Sequence, residues 1–309
     1  MLKTLVLGTR ASALALAQTD LTRAALQQAW PELEVTVQTF VTRGDQKLDL
    51  SLIQQSEQGG KGLFTKELEE ALLAGTIDVA VHSMKDLPGH NPPGLEITAV
   101  LERAPTADVL LSKHAGGLRG LPQGAAVGTS SIRRARQLQW LRPDLVIQEF
   151  RGNVQTRLRK LGGSETLSAI ILAQAGLERL GFPVASGTLG FEEYHFQVAS
   201  LADDLLPAIG QGAIALQSRG DRAEVAEVLA RINHERTFIA TRAEREVQRL
   251  LAGDCTLPVG VRTTIEGGEI ALSAVLFGEP GETPREAQAR GPIDAPERVA
   301  AELCAGLGA

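Results

Sequence analysis

An aspartate directly after a buried apolar run is the first candidate for chemistry in this sequence. Residues 78–88 read DVAVHSMKDLP, so Ser83, Lys85 and Asp86 follow the apolar stretch. In open α/β sheets, ligands bind at the carboxyl ends of the strands. A carboxylate at that edge can stabilise a developing cation and exchange protons with a ligand. The pattern leaves an ordinary salt bridge between Lys85 and Asp86 open as the alternative, and we interpret His82 as a packed core residue.

Arginines recur where predicted strands give way to helices. Residues 128–134 read GTSSIRR, and residues 151–157 read RGNVQTR. Free N–H groups and the positive dipole end of a helix favour an anion, whereas arginines in the first turn are unfavourably placed. The pair at 133–134 therefore predicts a bound anion that offsets this cost, with N-capping beside solvated arginines as the alternative.

Guanidinium groups bind carboxylates through two parallel hydrogen bonds. Arginines gathered at several strand-to-helix junctions therefore predict a ligand that carries many carboxylates. The arginines concerned are Arg10, Arg133, Arg134, Arg151 and Arg157, with Arg179 as a weaker sixth because it could equally be a solvated helix residue.

The chain has two cysteines in different settings. Cys255 lies in GDCTLP (253–258), a predicted turn after a helix, where a thiol can be an attachment point or lie inertly buried. Cys304 falls on the apolar stripe of the last predicted helix, which favours a place in the core. The two form no CxxC pair and have no histidine at metal-ligand spacing, so we expect neither a metal site nor a thioredoxin-like site.

Composition limits the class of protein. The 309 residues are 43% hydrophobic and 22% charged, as in an ordinary globular protein. A net charge of −6 and 4% aromatic residues argue against a nucleic-acid partner. The N-terminal 18 residues superficially resemble a signal peptide, but Arg10 interrupts their apolar run. Since no stretch approaches the ~18 apolar residues of a membrane span, and two unpaired cysteines fit a reducing compartment, we expect a cytoplasmic protein.

Strands and helices alternate along most of the chain. Short apolar runs predict strands at 5–7, 33–42, 77–82, 125–128, 146–150 and 168–172, and helices at 13–30, 63–74, 131–141 and 154–161. This alternation is typical of doubly wound α/β lobes. Two further strands around Gly267-Gly268 predict a hairpin, between helices near 237–251 and 296–307. The polar segment 44–62 predicts a mobile lid, since its GGKG lacks the spacing of a phosphate-binding loop.

Taken together, these segments resemble the porphobilinogen deaminase family along nearly the whole chain. The matching motifs are Thr9-Arg10, VTRGD (41–45), GGKGLFTKELE (59–69), DVAVHSMKDLP (78–88), VGTSSIRR (127–134), LVIQEFRGNVQTRL (145–158), AIILAQAGLERLG (169–181) and AIGQGAIAL (208–216). Their order and spacing make the resemblance specific. The segment 102–108 departs from the family, because it lacks the usual acidic and basic residues around its proline.

The resemblance implies an α/β fold of two periplasmic-binding-protein-like doubly wound lobes joined by hinges, plus a small C-terminal α/β domain. The expected limits are 1–102 plus about 207–232 for the lobe with the catalytic aspartate, 107–206 for the arginine-rich lobe, and 236–309 for the domain with the anchoring cysteine. We expect a monomer.

The resemblance also implies a transferase of tetrapyrrole and heme biosynthesis, hydroxymethylbilane synthase. Four porphobilinogen molecules are condensed head to tail, with loss of ammonia, onto a dipyrromethane cofactor, and linear hydroxymethylbilane is released. Cys255 matches the cysteine that holds this cofactor through a thioether. Asp86 matches the catalytic aspartate, which assists loss of ammonia and stabilises the azafulvenium-like cation. The positions that match cofactor- and substrate-binding residues are Arg10, Ser12, Gln18, Lys61, Phe64, Ser83, Lys85, Thr129, Ser130, Ser131, Arg133, Arg134, Arg151, Gly152, Asn153, Arg157, Arg179 and Gln211.

The alternative from another class is a non-catalytic two-lobed protein that binds a polycarboxylate between its lobes. Such a protein would need neither Cys255 nor Asp86, so a requirement for these two residues distinguishes the enzyme from the binding protein.

Overall fold

The computed structural model describes residues 2–41, 65–251, 257–279 and 281–308. Its helices are α1 (Ala13–Ala29), α2 (Lys66–Leu73), α3 (Ile132–Leu141), α4 (Val154–Gly163), α5 (Gln174–Arg179), α6 (Ala223–Ala230), α7 (Glu235–Leu250) and α8 (Pro296–Gly306). Its strands are β1 (Thr4–Arg10), β2 (Glu34–Phe40), β3 (Val79–Ser83), β4 (Leu95–Val100), β5 (Asp108–Ser112), β6 (Ala126–Gly128), β7 (Val146–Gln148), β8 (Leu167–Ala173), β9 (Thr188–Phe191), β10 (Tyr194–Ser200), β11 (Ile214–Arg219), β12 (Val259–Glu266), β13 (Glu269–Leu276) and β14 (Arg285–Pro292).

The first sheet has the strand order β2-β1-β3-β11-β4. β1 is parallel to β2 and β3, while β11 runs antiparallel to β3 and β4. Apolar side chains of β1 and β3 pack on one face against Leu26 of α1 and Leu229 of α6, and Ala80 packs on the other face against Leu68 and Leu72 of α2. Both faces are therefore covered by helices, which explains the uninterrupted apolar run of β3.

The second sheet has the order β7-β6-β8-β5-β10-β9 and repeats this plan. β6 is parallel to β7 and β8, and β5 runs antiparallel to β8. Two connections join the lobes. The first, residues 101–107, leads into β5 of the second sheet, and the second, residues 201–213, leads into β11 of the first sheet. Both lobes are thus tied to the two connections by a strand in the interior of the sheet.

The third sheet is antiparallel, in the order β12-β13-β14. Gly267 and Gly268 link β12 to β13 with φ values of 56° and 82°, which is the backbone that a tight hairpin turn requires, so the predicted hairpin is confirmed. α7 and α8 cover one face of this sheet, and Cys304 of α8 is 3% exposed in the core between them. The predicted core position of Cys304 is therefore also confirmed.

These three units confirm the predicted fold class of two α/β lobes and a small C-terminal α/β domain. None of the helices in the described ranges combines the length and the apolar character that crossing a membrane requires.

Candidate active site

A small pocket, open to solvent, lies at the carboxyl ends of β1 and β3. Ser12 caps the N-terminus of α1, because its Oγ accepts a hydrogen bond from Ala15 N at 3.3 Å. Gln18 lies inside the same helix and is 2% exposed. Its amide exchanges hydrogen bonds of 2.9 and 3.0 Å with Ser83 Oγ at the end of β3. Together with Arg10, these residues line the pocket, so the structure brings this group of predicted site residues together.

Asp86 borders the same pocket from the 3₁₀ turn Met84–Asp86 that follows β3. The turn is fixed by its backbone, since Met84 N donates to Ala213 O at 3.0 Å and the buried Met84 side chain anchors it. Within the described chain, Asp86 forms an ion pair with Arg10 at 4.0 Å and none with Lys85. Its side chain is 39% exposed. Asp86 is therefore a fixed carboxylate that a ligand can reach, and the alternative of a local Lys85–Asp86 salt bridge is wrong.

Lys85 lies between the charged groups of the two lobes. Burial, together with the nearby Arg134, lowers the pKa of Lys85 to about 8, although Asp86 and Asp108 oppose this shift. Arg134 and Asp108 belong to the second lobe, so charges of the second lobe contribute to the pKa of Lys85 in the first lobe. An amine with this pKa is part protonated near neutral pH and can donate a hydrogen bond or accept a proton.

The two arginines at the start of α3 turn inwards, onto Asp108 at the start of β5. Arg133 Nη2 lies 2.7 Å from Asp108 Oδ2, and Arg134 binds Oδ1 through Nη2 at 2.7 Å and Nε at 3.1 Å. Both arginines are about 5% exposed and Asp108 is 1% exposed. Burial alone would raise the pKa of Asp108, but the two guanidinium groups hold it well below its usual range.

This internal ion cluster corrects one interpretation of the sequence. A carboxylate of the chain itself, that of Asp108, already offsets the two arginines in the first turn of α3. Other donors of the pair are also used, since Arg133 Nη1 donates to Leu206 O and Arg134 Nη1 to Ile171 O. Ligand binding by Arg133 and Arg134 stays a prediction, and it has to use the donors that Asp108 leaves over.

The residues from 129 to 131 shape the junction between β6 and α3. Ser130 Oγ donates to Phe150 O at 2.8 Å and accepts from Phe150 N at 3.0 Å, which pins this junction to the next one along the sheet. Thr129 Oγ1 accepts from Ser131 N, and Ser131 Oγ accepts from Arg134 N as the helix cap. These hydroxyls therefore set the backbone that presents the arginines.

A second group of arginines surrounds the start of α4 and carries a surplus of positive charge. Arg157 Nε donates to Gly152 O at 2.8 Å. Burial, and then the charges of Arg134 and Arg151, lower the pKa of Arg157 to about 10. Arg151 pairs with Glu149 through Nε at 2.8 Å, but its buried Nη2 has no hydrogen-bond partner among the described residues. This group has the donors that a ligand with carboxylates requires.

Gly152 and Asn153 build the turn that presents these arginines. Gly152 has φ of 124°, and a β-carbon there would lie 2.8 Å from the Thr156 side chain, so the close backbone turn requires glycine. Asn153 Oδ1 caps α4 by accepting from Thr156 N at 2.9 Å. Both residues therefore act on the backbone around the candidate site.

Gln211 and Arg179 are placed at the connections between the lobes. Gln211 is 1% exposed, and its Nε2 donates to Asp108 Oδ1 at 2.9 Å and to Thr106 O at 2.7 Å. It therefore fastens one connection to the other. Arg179 Nη2 donates to Gly212 O at 2.7 Å, and burial lowers its pKa to about 10. The remaining predicted residues, Lys61, Phe64 and Cys255, lie outside the described residues.

Several ionic contacts near the site were not predicted from the sequence. One is the contact of Asp108 with Arg133 and Arg134. A second joins Arg103, in the first connection, to Glu244 of α7 through two hydrogen bonds of 2.7 and 2.9 Å. Glu244 also accepts from Gly210 N at 2.7 Å, in the second connection. Arg103 and Asp108 both lie in the segment 102–108, but no local pattern in the sequence signals their partners.

Asp108→Asn is expected to destabilise the fold by about 3–5 kcal/mol, because it leaves two buried guanidinium groups without their carboxylate. The pKa of Asp108 is depressed in the fold, so its stabilisation is present above the ordinary aspartate pKa and is lost as the pH falls. Denaturant unfolding at neutral and acidic pH should therefore show a smaller loss of stability on acidification in the variant than in the parent protein. Asp20→Asn is the control, since it removes an exposed pair with Arg23. Equal stability of Asp108→Asn and the parent at neutral pH would show that the Asp108 carboxylate does not stabilise the two buried arginines.

Solved structures of similar shape include the periplasmic aliphatic sulphonate-binding protein SsuA from Escherichia coli, with 14% identity and a TM-score of 0.41 over 82% of this chain and 71% of that chain. The BenM effector-binding domain with its effector benzoate has 14% identity and a TM-score of 0.41, over 74% and 91% of the two chains.

Two family models match the chain. Residues 5–227 match the porphobilinogen deaminase dipyromethane cofactor binding domain, and residues 231–307 match the porphobilinogen deaminase C-terminal domain. The porphobilinogen deaminase of Syntrophobacter fumaroxidans is 45% identical over 89% of this chain and 85% of its own length. That of Methylobacillus flagellatus is 42% identical over 99% and 94% of the two chains. This chain therefore belongs to the porphobilinogen deaminase family.

Proposed function

We propose that this chain condenses four porphobilinogen molecules head to tail, with loss of ammonia, and releases linear hydroxymethylbilane. Family membership supports the reaction. The observation that carries the assignment of the site is a fixed, exposed carboxylate, Asp86, at the strand edge where the first lobe meets the arginine-rich second lobe. A protein that only bound a polycarboxylate would need the arginines but not this carboxylate.

The donor chemistry of the second lobe fits a dipyrromethane group with its acetate and propionate side chains. Arg157 has neighbouring cations and no acidic neighbour that shifts its pKa, and Arg151 Nη2 is a buried donor that the described residues leave unsatisfied. Carboxylates at this place would satisfy both conditions. When bound, dipyrromethane supplies the pyrrole carbon to which the first substrate molecule is joined. We propose that a thioether to Cys255 holds it.

Asp86 is the group that we assign to the chemical step. The C–N bond of the substrate's protonated aminomethyl group breaks, and the nitrogen leaves with the bonding electron pair as neutral ammonia. The pyrrole left behind is a cation, which the negative charge of Asp86 stabilises in a site partly shielded from water. The same carboxylate can take the proton that is released when the new C–C bond forms. Arg10 forms an ion pair with Asp86 at 4.0 Å, beside the place where the cation would form.

Substrate carboxylates are the second recognition element of the proposal. Arg10 and Ser12 border the pocket beside Asp86, and the Gln18–Ser83 pair forms a polar wall. Lys85 adds a cation that loses its proton above a pH of about 8. These groups would hold the substrate with its aminomethyl carbon towards Asp86, which is what orientation of the reacting atoms requires.

We also propose the division into domains at 1–102 plus about 207–232, 107–206 and 236–309. Sheet membership supports it, since strands from 4–100 and 214–219 share one sheet and strands from 108–200 share another. Asp108, Gln211 and Glu244 then lie where the three domains meet.

We further propose a cytoplasmic monomer that acts on a small molecule and has no nucleic-acid or membrane partner. The acidic composition and the buried, unpaired Cys304 support this.

The function is tested by giving purified protein porphobilinogen and following both substrate loss and bound species by native mass spectrometry. The parent should release hydroxymethylbilane. Arg157→Lys should accumulate partly extended chains, because a lysine cannot reproduce the planar fork and each charge-assisted bond contributes roughly 1.5–3 kcal/mol. Arg159→Lys is the matched control on α4, since Arg159 is exposed and pairs with Glu192.

The two possible failures of this experiment are distinguishable. A parent protein that consumes no porphobilinogen would contradict the proposed function. An Arg157→Lys variant that elongates and releases product like the parent would contradict only the role of Arg157.

A further inference from the structure

The third domain contacts the segment that follows Asp86 through one arginine of α7. Arg245 Nη1 donates to Pro88 O at 2.9 Å, and its Nη2 donates to Asn91 Oδ1 at 3.0 Å. Both acceptors lie within five positions of Asp86 in the sequence. A single planar guanidinium therefore spans the segment between them, which a lysine could not do with the same geometry.

Backbone packing brings this segment directly against α7. A β-carbon on Gly89 would lie 3.2 Å from Arg249 N and from the Gln248 side chain, so glycine permits the approach. Gln248 Nε2 adds a bond of 3.4 Å to Leu87 O. Among the described residues, the side-chain hydrogen bonds to residues 87–91 come from α7 alone. The first lobe anchors the turn before Asp86, and the third domain anchors the chain after it.

Arg245 differs electrostatically from Arg242 and Arg249, its neighbours on the same helix. Arg242 pairs with Glu297 and Arg249 with Glu246. Arg245 has no ion pair within the described chain, and burial lowers its pKa to about 10. Burying a cation without a carboxylate is unfavourable. Stabilisation of the fold alone therefore does not explain a buried arginine at this position. Both side-chain hydrogen bonds of Arg245 go to the segment 88–91, beside Asp86.

We propose that Arg245 is a positioning residue for the condensation, which holds the segment 88–91 and thereby keeps Asp86 at its place in the pocket. The inference rests on the proposed role of Asp86. It adds a function for α7, the helix whose C-terminal end leads in sequence to Cys255. The third domain then does more than carry the cofactor, because it also aligns the catalytic carboxylate with the lobe that holds the substrate.

Arg245→Met tests the inference, since it keeps the aliphatic stem and removes the guanidinium. We expect kcat to fall about 10- to 100-fold with KM nearly unchanged, because small misplacements of a catalytic group have effects of this size. Arg245→Lys should recover part of the loss. Arg249→Met, one turn further along α7 and exposed, is the control and should behave like the parent. Asn91→Ala removes one acceptor from the other side and should show a smaller loss in the same direction, even if Arg245→Met fails to fold.

A double-mutant cycle separates positioning from loss of structure. If Arg245 acts through Asp86, then Arg245→Met in an Asp86→Asn background should slow single-turnover condensation by no more than about twofold. Equal loss in both backgrounds would show a general structural effect and overturn the proposal. Parental kcat in Arg245→Met and in Asn91→Ala would overturn it as well. A parental rate in Asp86→Asn alone would remove Asp86 from the mechanism and overturn this proposal with it, whereas the proposed function would stand as long as the parent consumes porphobilinogen.

Discussion

Asp86→Asn is expected to lower the steady-state turnover of porphobilinogen by on the order of 10²–10⁴, with further loss from the missing charge. The substitution keeps the size of the side chain and much of its hydrogen bonding but removes the negative charge and the proton acceptor. The fold should be unaffected, because the turn around Asp86 is fixed by backbone bonds of Met84 and Leu87 rather than by the carboxylate. Binding of substrate should also persist, since the arginines remain.

The measurement is kcat for porphobilinogen, with unfolding temperature as the check on folding. Asp20→Asn is the matched control, because Asp20 is an exposed carboxylate of the same lobe and pairs with Arg23. Turnover by Asp86→Asn within about fivefold of the parent would remove Asp86 from the mechanism, since neither proton transfer nor cation stabilisation has so small an effect.

Local patterns in the sequence predicted those parts of the site that depend on near neighbours. The position of Asp86 after a buried strand, the helix at 131–141 and the hairpin at Gly267 each follow from a few adjacent residues, and the structure has all three. Some strands were not predicted, and one of them has a weak pattern. That strand is β14, because its sequence REAQARGP is polar and half-exposed along its length.

Contacts between distant segments could not be predicted in this way. Arg133 was interpreted as a ligand for an external anion, because nothing near it in the sequence reveals that β5 places Asp108 beside it, 25 residues away. The pair of Arg103 with Glu244 spans 141 residues. Periodicity and capping do not encode which charged groups meet, since this depends on how strands and connections are ordered in the sheets. The ion pairs that join the connections to the rest of the chain are therefore found from the three-dimensional structure and not from the sequence.

Cys255→Ala is expected to lose both the covalently bound cofactor and turnover while keeping its fold. Cys255 lies outside the described residues, so this expectation comes from its place after a helix and from its match to the anchoring cysteine of the family. A thioether survives denaturation, so the parent protein should show mass beyond the polypeptide on denaturing mass spectrometry. Peptide mapping should place that mass on the fragment that contains Cys255.

Cys304→Ala is the matched control, and the structure says why it should keep both mass and turnover. Cys304 is 3% exposed and packs in the core between α8 and its neighbours. Burial also raises the pKa of its thiol, which leaves less of the thiolate that forms covalent bonds. Its replacement should cost about 1 kcal/mol of stability from the small cavity. Parent protein from a host that makes porphobilinogen, yet without an adduct at Cys255 and without turnover, would favour the non-catalytic binding protein. An adduct found on Cys304 would instead move the attachment site into the third domain's core, which this packing leaves no room for.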